Sequence, residues 1–534
     1  MRLARLSVAV LWTLALTAGA AGGAAAAADE DIERAGELLQ SWRYDEAAEL
    51  IDKLSRTASA RPDVQYLRAE LAFLQGDYEA SLRILDDLDE GRAQVVDDLR
   101  DLVSSTHATT RGFERYETEE GNFELYYPPG KEELLVELAG DALERAYSEL
   151  GRQFGYRPDE PVRVEILSDP SDLARVSTLT REAIETTGTI ALCKYGRLMV
   201  VTPRATVFGY PWLDTLVHEY VHYVVNRVSH NNVPIWLHEG LARFEQDRWR
   251  AEPDLRLSGV DEHLLAEALD RDALIPFDDM HPSMAKLPSQ EAAALAFAEV
   301  YTMVSYLHEE MGYEGIRRVL DAQRDGMGAK DAVASALDAS WPEVERGWRR
   351  YLAGLDLDAR AALRGRARAD RIRFRRGGPE GGEGDDSAEN VGLGEVDSEE
   401  ARKHTRLGGI LRAHGRTEAA AAQYEKALEI VGRDEPYVAG RLSHAYLELE
   451  RYDEAIELAE PLAGADKNDP TPARALGVAY LAQGEIEAAR ESFEAAVRVS
   501  PFDPDVRCGL ADVYEAADDA RADRERDACR RLRS

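Results

Sequence analysis

Apolar side chains recur at helical spacing through both ends of the chain, whereas the middle part also contains stretches of alternating apolar and polar residues. Residues 123–127 and 162–167 alternate as strands do, and a helical apolar pattern separates them from about 132 to 154. A further strand pair is predicted at 188–193 and 196–202, after which the pattern is helical. We therefore predict an α+β fold, mostly α, in which a small sheet precedes helices.

The helical ends of the chain repeat themselves at an interval of 34 residues. Residues 43–50 (RYDEAAEL) recur almost unchanged as 451–458 (RYDEAIEL), and Leu442, Leu476 and Leu510 are each 34 residues apart. This interval, with small and large residues at these spacings, resembles the tetratricopeptide pattern. In that pattern small residues lie where two antiparallel helices touch, and large ones fill the gap between neighbouring hairpins.

The resemblance implies helical repeats in two places, about two within 29–110 and about four within 401–534. A generic Ala-rich helical bundle is the alternative for both segments. Because each repeat packs only on its neighbours, we expect the rest of the chain to stay folded when 401–534 is deleted. An acidic Gly-rich stretch at 371–400 predicts a flexible linker, since its residues bury little apolar area.

The composition limits the number of domains and the kinds of partner. The chain has 534 residues, more than one hydrophobic core usually organises, so about two to four domains are expected. Its 65 basic and 101 acidic residues give a formal net charge of −36, which repels phosphate backbones and anionic lipids. We therefore predict that the protein does not bind nucleic acid.

The first 28 residues have the order of a secretory signal peptide. Arg2 and Arg5 precede an apolar stretch, and a run of small residues ends at Ala28. We predict cleavage near Ala28, which leaves an exported protein, periplasmic or extracellular, without stable insertion in a membrane. An uncleaved anchor is the alternative, because the uncharged stretch 6–28 is long enough to span a bilayer.

The chain has three cysteines, Cys193, Cys508 and Cys529, too few for a disulfide-built scaffold or a cysteine-ligated zinc site. Cys508 and Cys529 fall on the two helices of the last predicted hairpin, at about equal distances from its turn. We predict a disulfide between them in an oxidising compartment and a free thiol at Cys193. The alternative is that Cys508 and Cys529 are two buried free thiols that pack as small apolar side chains.

The strongest chemical signal is the motif HEYVH at 218–222. On a helix, His218 and His222 lie one turn apart on one face, so both imidazoles can bind one ion while Glu219 lies beside them. Two unrelated histidines on a helix are the alternative. A second segment follows after a turn and supplies the carboxylate of Glu239. A catalytic zinc takes three protein ligands and keeps a position for water, and two His plus one Glu is a known set.

Residues 236–242 (WLHEGLA) resemble the Trp-Leu-x-Glu-Gly-x-Ala segment of the peptidase MA-like gluzincins and are similar to the Asn-Glu-Gly-Phe-Ala segment of aminopeptidase-type members. The resemblance implies a thermolysin-like zincin peptidase domain, with a small sheet, at 111–370. It also implies that Glu219 is the general base. The Zn²⁺ ligands that it implies are His218, His222 and Glu239.

A later aromatic helix, 297–307, is also similar to one in peptidase MA-like proteins. Phe297 stands where those proteins often have a Tyr, whose hydroxyl could stabilise the oxyanion of the tetrahedral intermediate. Because Phe has no hydroxyl, Tyr301 is the candidate for this catalytic role. A core position is the alternative for Tyr301, since aromatic residues at helical spacing often pack inside.

Three further polar residues near the motif have weaker interpretations. His230 falls too late for the metzincin arrangement, and it is the next candidate for the third ligand if Glu239 does not bind the metal. His238 points away from its neighbour Glu239 on a helix, which predicts a position at the surface or behind the ligands. Asp214, one turn before His218, would either orient that imidazole or serve as a helix-start carboxylate.

Together these features predict an exported zinc metallopeptidase that hydrolyses peptide bonds through a zinc-bound water activated by Glu219. The repeats would recruit protein partners or peptide and protein substrates. Residues 188–191 precede the active helix and offer a strand along which an extended peptide could lie. The alternative is a scaffold for envelope assembly or quality control, whose peptidase-like domain is weakly active or inactive.

Overall fold

The computed structural model of the chain describes residues 23–88, 94–250, 257–281, 283–284, 287–357, 372–375, 392–394, 396–433, 435–465 and 468–534. The predicted signal peptide at 1–28 and the predicted linker at 371–400 fall largely outside these ranges and stay predictions. Among the described helices, none combines the length and the apolarity that crossing a bilayer requires.

The N-terminal segment is a stack of helices joined by short turns. Apolar residues at helical spacing face the neighbouring helices, as Ala47, Ile51 and Leu54 do, and are buried there. Trp42 and Gly76, both with positive φ, lie in two of the turns. The helices are α1 (Gly23–Gln40), α2 (Tyr44–Thr57), α3 (Pro62–Leu74), α4 (Tyr78–Asp86) and α5 (Gln94–Thr110).

A five-stranded sheet follows, formed by β1 (Glu114–Glu117), β2 (Phe123–Tyr127), β3 (Val162–Leu167), β4 (Ala191–Lys194) and β5 (Arg197–Val201). The strand order is β1-β2-β3-β5-β4; the three central strands run parallel, and each edge strand is antiparallel to its neighbour. β5 is buried along its whole length, which explains its nearly continuous apolar sequence. The connecting helices are α6 (Glu133–Phe154), α7 (Pro170–Val176) and α8 (Arg181–Thr187).

Helices complete the middle domain, as the change of pattern after residue 202 predicts. Gly240 lets two of them approach closely, because a Cβ at this position would lie 2.8 Å from the carbonyl oxygen of Val300. Gly312, with φ of 59°, forms a kink within the longest helix. The helices are α9 (Trp212–Ser229), α10 (Ile235–Glu245), α11 (Gly259–Asp270), α12 (Gln290–Arg324), α13 (Ala329–Ala336) and α14 (Trp341–Gly354).

The C-terminal array consists of helical hairpins whose small and large residues meet as the tetratricopeptide pattern predicts. A Cβ at Gly408 would lie 2.5 Å from the ring of Tyr424, and one at Gly477 would lie 2.7 Å from the ring of Phe493. The helices are α15 (Glu399–Ala413), α16 (Thr417–Val431), α17 (Pro436–Glu448), α18 (Tyr452–Ala465), α19 (Pro470–Gln483), α20 (Ile486–Val497), α21 (Pro504–Ala516) and α22 (Ala522–Arg533).

The last hairpin contains the predicted disulfide, which joins Cys508 on α21 to Cys529 on α22 with a Cα separation of 4.9 Å. Cys193 is a free thiol, also as predicted. The two bonded cysteines therefore tie the outermost helices of the array to each other.

The expectation that the array packs only on itself is wrong. Phe493 and Leu510 of the array belong to the same hydrophobic cluster as Leu213 of the middle domain. Arg507, which is 1% exposed, donates to the carbonyl oxygen of Leu134 at 2.7 Å. The physical reason is that the last hairpin has no following repeat to cover its outer face, and the middle domain covers it instead.

Candidate metal centre

Two helices bring the motif residues together. α9 begins after Pro211 and buries Leu216 and Val217 against the domain core, which fixes the face that presents the histidines. α9 ends at His230, which has a left-handed conformation with φ of 54° and is not among the residues that converge. The chain then turns, and α10 returns Glu239 to the histidines.

His218, His222 and Glu239 converge, with their candidate ligand atoms all within 4.8 Å of one another. Oε2 of Glu239 lies 3.3 Å from Nε2 of His218 and 3.5 Å from Nε2 of His222. Bonds of about 2.1 Å at tetrahedral angles place two ligand atoms about 3.4 Å apart, so these three residues fit a tetrahedral ion that keeps a fourth position open.

The electrostatics of Glu239 also suit a cation. Burial alone would raise the pKa of the Glu239 carboxyl, but His222 and His218 lower this pKa well below its usual range. Burial lowers the pKa of His222, whereas Glu239 raises it, and the net effect is a raised pKa. The carboxylate is thus charged and already directed at both imidazoles.

Glu219 lies next to the three residues without joining them. Its side chain is buried, and burial raises the pKa of its carboxyl, against the lowering effects of His222 and His218. The backbone of Cys193 on β4 also lowers this pKa. Glu219 therefore lies near both the edge strand and the candidate ligands, where a proton acceptor for a bound water would act.

Two side chains, those of Gln246 and His238, support the histidines from behind. Gln246 could not be singled out from the sequence. Nδ1 of His218 lies 3.2 Å from Oε1 of Gln246, the residue that ends α10. His238 stacks on His222, with ring centroids 4.4 Å apart and an interplanar angle of 16°. Nε2 of His238 lies 3.0 Å from Oδ1 of Asn226. His238 thus lies behind the ligands, which was one of its two predicted positions.

Asp214 does not hydrogen-bond to His218 directly. Its carboxylate instead accepts from Nε1 of Trp249 at 3.3 Å and pairs with the guanidinium of Arg250. The spacing of Gln246, seven residues or two helical turns beyond Glu239, was the only available signal that this residue shares a face with the ligand.

Tyr301 packs on α10 beyond the ligand residue. Its ring centroid lies 6.2 Å from that of Phe244. Burial raises the pKa of its hydroxyl to about 12, against the lowering effect of Arg248. Its environment thus contains an aromatic ring and a guanidinium, and its role toward an oxyanion stays a prediction.

The fold and the site define the class of protein: it has an α+β domain with a convergent His-His-Glu cluster, and helical repeats flank this domain. Comparison with family models agrees with it: residues 142–354 match the Peptidase MA superfamily. A tetratricopeptide repeat model matches residues 32–94, 441–504 and 474–533. The chain thus combines a Peptidase MA superfamily domain with tetratricopeptide repeats on both sides.

Similar solved structures add nothing to this assignment. MamA 41-end from Desulfovibrio magneticus RS-1 is 18% identical, with a TM-score of 0.22, over 26% of this chain and 76% of that one. The APC/C hetero-tetramer Cut9-Hcn1 is 12% identical, with a TM-score of 0.21, over 91% of this chain and 84% of that one. At these TM-scores the similarities carry no argument. A comparison with curated proteins returned no match.

Proposed function

We propose that the protein is a zinc-dependent metallopeptidase in which His218, His222 and Glu239 hold the metal. The observation that carries this proposal is the convergence of the three side chains, with Glu239 at 3.3 and 3.5 Å from the two imidazole nitrogens. Two His and one Glu are a donor set that catalytic zinc uses. A bound zinc would polarise the scissile carbonyl and make its water acidic enough to react at neutral pH.

Glu219 is the proposed general base. It would take the proton from the attacking water and pass it to the leaving amine, which requires a carboxyl that both gains and loses a proton near the working pH. The burial that raises its pKa moves the carboxyl in this direction. The backbone of Cys193 lowers this pKa in part, so the carboxyl lies on the side of the site that faces β4.

The sheet supports a peptide or protein as the substrate. β4 pairs with β5 on one side and forms an edge of the described sheet, next to α9. An extended chain can add to such an edge through backbone hydrogen bonds, with little dependence on its sequence. The repeats would bring protein partners or substrates to this edge.

We also propose that the protein is exported to the periplasm or the extracellular space. The basic and apolar order of residues 1–28 supports a signal peptide. The bond between Cys508 and Cys529 supports an oxidising compartment, because such bonds rarely persist in the cytosol.

The test compares three forms of the full-length protein. We expect about one zinc per chain in the wild type and its loss in Glu239→Ala, because two imidazoles leave the metal short of ligands. Glu219→Gln should keep zinc and lose hydrolysis of casein, since an amide does not accept the proton. Glu310→Gln makes the same change at an exposed position on α12 and should leave both properties intact.

The alternative function, a scaffold with a weakly active domain, has one observation in its favour. Phe297 stands where related proteins often have a Tyr, so the usual hydroxyl for the oxyanion is missing at that position. Full zinc content together with casein turnover that is the same in wild type and Glu219→Gln would favour the scaffold. Absence of zinc from the wild type would refute the metallopeptidase.

A further inference from the structure

We propose that Gln246 is the positioning residue for His218, and that Asp214 holds Gln246 in place through Trp249 and Arg250. This inference rests on the proposed zinc site and names two residues that lie outside its ligand set. Gln246 is the first residue after α10, and Asp214 contacts two residues that follow it. This segment folds back onto the first turns of α9.

The first step is the contact between Gln246 and His218. Nε2 of His218 faces Glu239 at 3.3 Å, so this nitrogen must offer its lone pair to the metal. The proton of the neutral ring then lies on Nδ1, which is 3.2 Å from Oε1 of Gln246. An Nδ1–H that donates to the amide oxygen fixes both the tautomer and the ring orientation.

The second step explains what keeps Gln246 at this position. Asp214 lies one turn before His218 on α9, and it is 8% exposed. Its carboxylate accepts from Trp249 and pairs with Arg250, which follow Gln246 by three and four residues. The chain from 246 to 250 is thereby attached to α9 at two successive turns, so Gln246 cannot move away from His218 unless the pair at Asp214 opens.

The two histidines are supported by different means. Nδ1 of His222 is buried and has no hydrogen-bond partner among the described residues, and the ring is instead held by its stacking on His238. His218 is 15% exposed at its side chain and has no comparable stacking neighbour in the described chain. The hydrogen bond to Gln246 is therefore the main restraint on the orientation of His218.

The experiment measures the zinc dissociation constant of the full-length protein by competition with a chromogenic chelator. We expect Gln246→Leu to raise this constant roughly 10- to 100-fold, the usual effect of removing such a partner. Gln246→Glu keeps an oxygen acceptor and should bind zinc at least as tightly as the wild type. Gln75→Leu is the matched control, since Gln75 ends α3 as Gln246 ends α10.

Coupling between the two residues tests the second step. Asp214→Asn should weaken zinc binding by less than Gln246→Leu, and the double variant should bind zinc as Gln246→Leu does, because both changes remove one restraint. The absorption spectrum of the Co²⁺-substituted protein should change in Gln246→Leu and be restored in Gln246→Glu. This readout reports ligand geometry and does not depend on turnover.

Three results would overturn parts of the inference separately. A wild-type dissociation constant and cobalt spectrum in Gln246→Leu would remove Gln246 as a positioning residue. If the increases in dissociation constant caused by Asp214→Asn and Gln246→Leu multiply in the double variant, the two residues act independently and the link through Asp214 is wrong. A wild-type protein without zinc would overturn the proposed function itself. A single cooperative melting transition in each metal-free variant shows that it is folded.

Discussion

The two repeat segments contact opposite ends of α9, the helix that carries the candidate metal ligands His218 and His222. At the C-terminal end of α9, Arg227 donates to the carbonyl oxygen of Trp42 at 2.7 Å and pairs with Asp45 at 3.1 Å. At its N-terminal end, the N–H of Trp212 donates to the carbonyl oxygen of Arg498 at 3.2 Å. Repeats of one type thus hold α9 by side-chain charges at one end and by backbone carbonyls at the other.

The N-terminal segment is attached to the sheet by buried charges. Glu165 on β3 is fully buried, receives a hydrogen bond from Tyr78 of α4 at 2.7 Å, and pairs with Arg163 and Arg197 at 2.8 and 3.3 Å. Burial alone would raise the pKa of Glu165, but the two guanidiniums lower it below its usual value. The carboxylate is therefore charged, and its burial is tolerated because the two guanidiniums pair with it.

The C-terminal array is attached differently. It contacts α9 and the residues just before it through apolar side chains and through backbone hydrogen bonds from the N–H groups of Tyr210 and Trp212, and Gly209 makes the close approach possible. Arginines of α22 add ion pairs at the edge of this surface, such as Arg524 with Asp141 at 2.9 Å. We therefore expect the N-terminal attachment to weaken when a buried charge is removed. The C-terminal attachment should weaken when an added atom changes the shape of the contact surface.

The largest expected effect is at Glu165. Glu165→Ala should lower the free energy of unfolding by about 3–5 kcal/mol, because it leaves Arg197 buried without its carboxylate. Urea unfolding followed by tryptophan fluorescence measures this loss. Tyr78→Phe removes one hydrogen bond and keeps the ring, so it should cost about 1 kcal/mol. If both variants cost the same, the charge at Glu165 does not carry the N-terminal attachment.

A second buried carboxyl, that of Glu245, sharpens the contrast, since no guanidinium of the described residues lies in hydrogen-bond contact with it. Burial raises the pKa of Glu245 to about 8, against lowering effects of Arg248, 4.0 Å away, and of Tyr313, whose hydroxyl donates to it. The folded protein thus keeps a proton that the unfolded chain releases near its ordinary pKa of 4.5. The stability that this proton contributes is complete below about pH 4.5 and is lost as the pH rises toward 8.

Glu245→Gln tests this direction. The wild type should lose up to roughly 4 kcal/mol more of its free energy of unfolding than the variant between pH 5 and pH 9, since a neutral amide has no proton to lose. Urea midpoints at several pH values give the difference curve. A variant whose stability follows the wild type in parallel would show that Glu245 is charged in the folded protein.

At the C-terminal attachment, we expect Gly209→Ala to act through shape alone. A Cβ at Gly209 would lie 2.2 Å from the carbonyl oxygen of Val499, and φ is 78°. Gly484, with φ of 79°, is the matched control, because no atom of the described residues lies within 4 Å of such a Cβ. Both substitutions share the cost of a positive φ, about 1 kcal/mol, and Gly209→Ala should cost about 1–3 kcal/mol more. Equal urea midpoints for the two variants would mean that the loop at Val499 moves without penalty.

The sequence predicts local structure well, together with the shared helical face of the candidate ligands His218 and His222, because both follow from the helical and strand periods. The helix predicted at 132–154 is α6 at Glu133–Phe154, and the strand predicted at 162–167 is β3 at Val162–Leu167. His218 and His222 share a helical face by spacing alone. Helical and strand periods record which side of an element is buried, and this is the information that local interactions fix.

The attachment of the repeats could not be predicted in the same way. Tyr78 and Glu165 are 87 residues apart, and Arg507 and Leu134 are 373 apart, so no period connects them. Each of these polar residues also has an ordinary interpretation as a solvated side chain on a helix or strand. Gln246 was missed for a related reason: its partner His218 lies on another helix, and an amide next to acidic and basic residues gives no signal of its own.

The smallest expected effect is at the edge of the C-terminal attachment. Arg531 pairs with Glu133 at 2.7 Å, but the two side chains are 36% and 49% exposed. Water and salt screen such a pair, so Arg531→Ala should lower the free energy of unfolding by about 1 kcal/mol or less. The loss should shrink further in 0.5 M NaCl, where the Debye length falls to about 4 Å. A loss above about 2 kcal/mol that persists at high salt would show that surface charge, and not the contact of Val499 with Gly209, holds the array on the middle domain.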